Sequence, residues 1–413
     1  MLKNFNEISL CEVCGSSKLL KVLDLGVHPM CDDLVEIGSK RVCKEYPIEI
    51  LFCRICNTAH QRFQVPKEDL FPSSYHYRSR FTNDVLIGME NLVDSCMKRF
   101  GNLLNKKILD IGCNDGSLLD FFKIQGAITF GIEPTDACLD ARKKEHVVYK
   151  NYLSENIANT FVSEFGKPDI ITFTNVFAHI ENLQEVLGSI RILMAPNTKI
   201  VIENHYLGSV LDGNQFDTFY HEHPRTYSYS SFIFMAKNLD TELFDVEFPS
   251  RYGGNIRVFM GDIPKNTYTP SLNLDLLSIR ENKFFDDFYR LRKNLESWKN
   301  YKQLFFRDQF KKYGKLRAKA FPGRAAILVK LLDLDECLIH AVYEKPGSLK
   351  VGHYLPGTRI PILSDDLLFL ELDLDRPIVN LAWHISFEIQ NYLAEKGYTG
   401  PVFDILSFDD FPN

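Results

Sequence analysis

Long apolar runs are missing from this 413-residue chain. No uncharged stretch approaches the roughly 20 residues of a membrane span, and the opening Met-Leu-Lys-Asn-Phe-Asn-Glu lacks the apolar core of an export signal. An excess of positive charge is missing too: 48 basic against 54 acidic residues give a net charge of −6. That balance argues against a generic nucleic-acid or anionic-membrane binder. There is no internal repeat and no low-complexity tract. Ten cysteines are too few for a disulfide scaffold in a chain of this length. A cytoplasmic globular protein of two or three domains is the expectation, with 45% hydrophobic and 25% charged residues.

What is present concentrates in four places. Cys11-Glu-Val-Cys14 and Cys53-Arg-Ile-Cys56 form two Cys-x-x-Cys knuckles. Each places two sulfurs on one tight turn, and together they supply four thiolates to a tetrahedral structural zinc. Cys31 and Cys43 lack paired spacing and read as buried or spare thiols. His28, after the apolar Leu23-Asp-Leu-Gly-Val27, reads as a loop histidine, with a fifth ligand or a substrate contact as alternatives.

The second place is Ile108-Leu-Asp-Ile-Gly-Cys-Asn-Asp-Gly-Ser-Leu-Leu119. A buried strand breaks into a loop between Gly112 and Gly116, and Ser117 is the expected N-cap of the following helix. The two glycines suit unusual backbone angles and a close approach of main chain to a ligand. Glu133 ends the next apolar run, where a carboxylate accepts both hydroxyls of a ribose. Asp-x-Gly-x-x-x-Gly differs from the dinucleotide triplet. It suits S-adenosylmethionine (SAM), with Asp110, Gly112, Asn114 and Gly116 near its amino-acid end.

The β-α-β rhythm from 106 to about 204 predicts a doubly wound sheet. Asn175-Val-Phe-Ala-His179 follows the carboxyl end of a strand, the end at which ligands sit, so Asn175 and His179 are expected to join the cofactor-binding residues. The third place is Phe216-Asp-Thr-Phe-Tyr-His-Glu-His223. Tyr220, His221, Glu222 and His223 put a phenol, two imidazoles and a carboxylate side by side, which suits proton transfer near neutral pH. The i, i+4 histidine pair of a metalloprotease helix is absent. Earlier in the chain, Tyr75 and Tyr77 beside Arg78 and Arg80 are equally readable as packing residues or as donors to an oxyanion.

The fourth place is the carboxyl third, a smaller α/β unit reached through Leu276–Lys319, a helix or broken pair interrupted only by Gly314. Domains are expected at 1–75 (zinc lobe), 76–275 (methyltransferase) and 276–413 (helical linker and second α/β unit).

Taken in order, these motifs resemble the sugar C-methyltransferases that methylate carbon 3 of dTDP-linked 4-keto-6-deoxy sugars. The likeness also includes Gly131-Ile-Glu-Pro134, Tyr252-Gly-Gly-Asn-Ile-Arg257, Tyr354-Leu-Pro-Gly-Thr358 and Ala382-Trp383. It implies an α/β fold with an N-terminal zinc-binding lobe, a central SAM-binding Rossmann-like domain and a C-terminal Rossmann-like domain that helps hold the sugar nucleotide. It further implies His223 as base, Tyr220 and Tyr77 near the enolate, and Glu222 on a sugar hydroxyl. The partners implied are a nucleotide-linked sugar, with no nucleic acid and no membrane, in a monomer or homodimer. The chain departs from the family at Tyr252 and Asn255 around the glycine pair, at Trp383-His384, and in the turn Lys319-Ala-Phe-Pro-Gly-Arg-Ala-Ala326. An O- or N-methyltransferase of a polysaccharide precursor and a catalytically silent binding protein are the competing readings. A zinc-ribbon nucleic-acid protein is disfavoured by the charge.

Overall fold

The Asp110 strand is apolar on both faces, as a strand covered by helices on each side must be, and a seven-stranded sheet is built around it. The structure, a computed structural model, describes residues 5–70, 78–262, 272–370 and 373–411. Its chain divides into two compact units, each made of three segments. The first comprises Met1–Leu20, Leu51–Val210 and Glu222–Phe285; the second comprises Lys21–Ile50, Leu211–His221 and Asp286–Asn413.

Three strands open the chain: β1 (Leu19–Pro29), β2 (Glu45–Cys53) and β3 (Thr58–Gln61). His28 lies within β1, not in a loop. It is buried, and its Nε2 meets the Leu25 carbonyl at 2.8 Å. The strand runs through Gly26 and ends at Pro29, with His28 and Pro29 both buried.

The first unit then runs through helix α1 (Asn83–Phe100), β4 (Lys107–Ile111), α2 (Ser117–Ile124), β5 (Ile128–Ile132), α3 (Ala137–Lys143) and β6 (Val147–Tyr149). It continues with α4 (Glu155–Phe165), β7 (Ile170–Thr174), α5 (Leu183–Leu193), β8 (Lys199–His205) and the short β9 (Arg225–Thr226). Helix α6 (Tyr229–Asn238) and strands β10 (Leu243–Glu247) and β11 (Asn255–Met260) follow. The sheet order is β10-β11-β8-β7-β4-β5-β6. β4 to β8 are parallel, while β11 and β10 add antiparallel strands on one edge. Strand order therefore reverses between β4 and β7, and the crevice at their carboxyl ends is the ligand position of such sheets. Val85, Leu92, Val93 and Cys96 of α1 pack with Leu118, Phe122, Ile108, Ile170 and Val201 as one buried core.

Helix α2 begins differently from expectation. Its cap position is Gly116, with φ +75°, and Ser117 is the first helical residue. Asp115 does the capping: its Oδ1 accepts the Ser117 hydroxyl at 2.6 Å and the Ser117 amide at 3.3 Å. The Ser117 amide, an orphan donor of the first turn, is thereby satisfied by a carboxylate two residues back.

The predicted helix after residue 276 is a broken pair, α7 (Leu274–Glu281) and α8 (Phe284–Tyr313). Gly314, at φ +72°, ends α8, so Leu316–Lys319 is not helical but forms strand β12. The second unit continues with α9 (Ala325–Leu331), β13 (Ile339–Glu344), β14 (Ile362–Ser364), β15 (Ile378–Asn380), α10 (Ser386–Glu395) and β16 (Val402–Asp404). These strands form a parallel sheet in the order β14-β13-β12-β15-β16. Among the described residues no helix is long and apolar enough to cross a membrane.

Candidate active site

Strand β4 delivers Asp110 and the glycine loop to the crevice of the first unit. Gly112 has φ +71°, and its amide donates to the Ile132 carbonyl at 2.7 Å. A Cβ at this position would lie 2.5 Å from Cγ2 of Val176. At Gly116 it would lie 2.8 Å from the His146 ring. Both glycines are thus demanded by the protein's own packing and by positive φ, in addition to any ligand.

Asp110 is buried and accepts the Thr172 hydroxyl at 2.7 Å. Burial pushes its carboxyl up to about 7, against the pull of that hydrogen bond. Glu133, just past β5, accepts the Asn114 amide on Oε2 at 3.0 Å. Its Oε1 accepts the Thr135 amide and hydroxyl at 2.9 and 2.6 Å. The carboxylate is held in one orientation with lone pairs to spare for a diol. Asn114 itself, at φ +48°, receives the Ser79 amide on Oδ1 at 3.1 Å.

Asn175 follows β7 in the left-handed region, φ +53°. Its orientation is dictated from a distance. Arg257 Nε donates to Glu203 Oε2 at 2.7 Å. Asn255 Nδ2 donates to Glu203 Oε1 at 3.0 Å and to Asn175 Oδ1 at 3.1 Å. A guanidinium only donates and a carboxylate only accepts, so the Asn255 amide must present its nitrogen to Glu203. Asn175 therefore accepts on its oxygen and keeps its NH2 as a donor for a ligand. Glu203, Asn255 and Arg257 come from β8 and β11, and their joint role was not visible in the sequence.

His179, Glu222 and His223 meet in the same unit. His179 Nδ1 donates to the Glu222 carbonyl at 2.8 Å. Burial pushes this imidazole down to about 4, so it is neutral near pH 7. The His223 ring is 4.8 Å from that of His179 and 5.0 Å from that of His205. His205 closes β8, one residue past the strand end expected from sequence, and that placement brings a third imidazole to the cluster. Tyr220 and His221 belong to the second unit, where burial pushes the His221 imidazole down to about 4 and its Nε2 meets the Tyr46 carbonyl at 3.1 Å. Tyr75 and Tyr77 lie outside the described residues.

The knuckles converge as expected. The Sγ atoms of Cys11, Cys14, Cys53 and Cys56 all lie within 4.8 Å of one another, as four ligands of a tetrahedral zinc require. Four protein sulfurs fill the shell, so the metal's part is structural. The Cys56 carbonyl accepts the Ser228 and Ser231 hydroxyls at 3.3 and 3.2 Å. Strand β3 pairs with β9, Arg225 opposite His60, and the Gln61 amide donates to the Pro224 carbonyl at 2.8 Å. The knuckle thereby grips the chain one residue beyond His223. Glu12 joins this grip through Arg225 at 2.6 Å. Burial would raise its carboxyl, but Arg225 and His60 hold it down to about 2.

Three family models match successive stretches: a zinc binding domain at 11–71, a methyltransferase domain at 88–243 and a C-methyltransferase C-terminal domain at 250–403. The C-methyltransferase NovU of Streptomyces niveus is 27% identical over 258 residues, 61% of this chain and 60% of that protein. A ubiquinone biosynthesis O-methyltransferase of Escherichia fergusonii is 28% identical over 102 residues, 24% of this chain and 42% of that protein. The alignments thus span less than two thirds of either relative. Among solved structures, the magnesium protoporphyrin IX methyltransferase of Synechocystis PCC 6803 with bound SAM is 16% identical with a TM-score of 0.32, covering 43% of this chain and 81% of that one. Models of a zinc binding domain, a methyltransferase domain and a C-methyltransferase C-terminal domain thus match this chain in that order, and a C-methyltransferase is among its relatives.

Proposed function

We propose that this protein is a cytoplasmic SAM-dependent methyltransferase that methylates the carbon next to the ketone of a nucleotide-linked keto-deoxy sugar. The observation that supports it is the imidazole of His223, packed between those of His179 and His205 in the unit whose crevice carries the glycine loop. A carbon acid needs a base, whereas a methyl donor loop alone does not call for one.

In this reading bound SAM supplies an electrophilic methyl group. Asp110 and the loop from Gly112 to Gly116 bind its amino-acid end, Glu133 takes its ribose hydroxyls, and Asn175 offers an amide donor. His223 removes the proton that the neighbouring ketone acidifies. Tyr220 and Tyr77 donate to the enolate oxygen, and Glu222 accepts from a sugar hydroxyl. His179, neutral and tied to the Glu222 carbonyl, keeps the His223 segment in place.

The test combines purified protein, SAM and a panel of keto-sugar nucleotides in heavy water. The expected result is deuterium exchange at the carbon next to the ketone and a product heavier by one methyl on that carbon. His223→Gln is expected to lower both by about 10³-fold while SAM binding stays within a factor of two to three. Transfer to oxygen or nitrogen without carbon exchange would replace this reading by an O- or N-methyltransferase.

A further inference from the structure

The parallel sheet of the second unit also has a point where strand order reverses, between β12 and β15. Such a crevice is the usual ligand position, bounded here by the turn after β12, residues 320–324, and the turn after β15, residues 381–385. A side chain of the protein already bridges the two turns. Asp217 accepts Arg324 Nε on Oδ2 at 2.7 Å and Arg324 Nη2 on Oδ1 at 2.8 Å. The same Oδ2 accepts Nε1 of Trp383 at 2.9 Å. Arg324 comes from the first turn and Trp383 from the second. The fork is the one a guanidinium offers to a carboxylate or a phosphate, and all three residues are buried.

The loop that carries Asp217 is seated along its whole length in this unit. Asn214 Oδ1 accepts Asn294 Nδ2 at 2.8 Å. The Phe216 ring packs on Trp298 at 4.8 Å and the Phe219 ring on Phe288 at 6.0 Å. His221 closes it on the Tyr46 carbonyl. Tyr220 sits between Phe219 and His221, so its place in space follows from this seating.

We propose that Asp217 fills the anion position of the second unit's crevice, and that this unit contributes to the reaction by seating the loop of Tyr220 and not by taking ligand phosphates at Arg324. Asp217 and Arg324 are positioning residues. The inference rests on the role given above to Tyr220, and it gives the C-terminal domain, expected to help hold the sugar nucleotide, a positioning part at the turn after β12.

The chain's two tryptophans, Trp298 and Trp383, both touch the loop, so their fluorescence reports its seating without a label. Asp217→Asn keeps the shape but loses the charge. It is expected to shift tryptophan emission and to lower turnover by about 10²-fold, the scale of an ångström-sized misplacement of a reacting group. SAM affinity and the KM for SAM should not change. If Asp217→Asn does not fold, Arg324→Lys carries the same test from the other partner.

A titration of wild-type protein with a nucleoside diphosphate and with inorganic pyrophosphate, read by the same emission, completes the experiment. No Arg324-dependent response is expected from the wild type. A response abolished by Arg324→Met would overturn the proposal, because Arg324 would then be exchanging Asp217 for a ligand. Unchanged emission and turnover in Asp217→Asn would overturn it equally. If the wild type methylates no keto sugar, the functional reading fails, and the emission and anion titrations still decide the seating.

Discussion

Seven consecutive residues, Asp110 to Gly116, make the glycine loop assigned above to the methyl donor, and its shape is held by backbone bonds and by close packing against Val176 and His146. The imidazole cluster is assembled the other way. His179, His205 and His223 follow three different strands or loops, and His223 is held through Pro224 and Arg225 by a metal knuckle far away in sequence. In the proposed function, donor binding is thus a local property of one turn, and acceptor chemistry is a property of the assembly. The two should fail separately.

The largest separation is expected from the zinc. Stripping the metal by chelation, or replacing Cys53 and Cys56 by serine, removes on the order of 10 kcal/mol of metal-linked folding energy from the segment that pairs with β9. Deuterium exchange and methyl transfer should vanish. Binding of S-adenosylhomocysteine, followed by calorimetry, should survive within about tenfold, since the donor loop belongs to the seven-stranded sheet. Equal loss of both would erase the distinction between the two sides.

Gly112→Ala strikes the donor side alone. It adds a methyl 2.5 Å from Val176 at a φ of +71°, a combination costing about 1–3 kcal/mol. SAM affinity should fall by at least tenfold, with a lower melting temperature. Catalysis at saturating SAM should recover more than half of the wild-type rate.

The smallest effect is one of pH. With its carboxyl pushed up to about 7, Asp110 keeps its proton in the ligand-free fold at pH values where the unfolded chain, with a pKa of about 4, has lost it. The folded state binds the extra proton, so this group's contribution to stability declines as pH rises toward about 7 and then levels off. A bound sulfonium and ammonium favour the carboxylate. The melting-temperature increase given by SAM should therefore grow between about pH 6 and pH 8, and Asp110→Asn should flatten that growth.

The same contrast explains what was legible in the residues. Zinc ligands and glycine loop are spaced along the chain as they are in space, so Cys11 to Cys56 and Asp110 to Gly116 could be read directly. Tyr220 to His223 were visible as a cluster, yet their split between two units was not, because it depends on which sheet each flank joins. His205 became a neighbour of His223 only through the termination of β8. The polarity running from Arg257 to Asn175 needs β8 and β11 to pair antiparallel, with Glu203 opposite Arg257. Ser117 was taken for a cap because cap preference is a local statistic; the turn at Gly116 makes it the first helical residue instead, with its amide and hydroxyl both donating to Asp115.

The interleaving of the two units has a consequence for synthesis. Lys21–Ile50 and Leu211–His221 leave the ribosome before the largest segment of their unit, which begins at Asp286. At roughly 5–20 residues per second, Lys21–Ile50 waits on the order of tens of seconds for the segment that starts at Asp286. The nascent chain can close its donor sheet during that interval, but it cannot seat the loop of Tyr220 until its last third has been made. In the proposed function, cofactor binding should therefore precede catalytic competence in the life of each molecule.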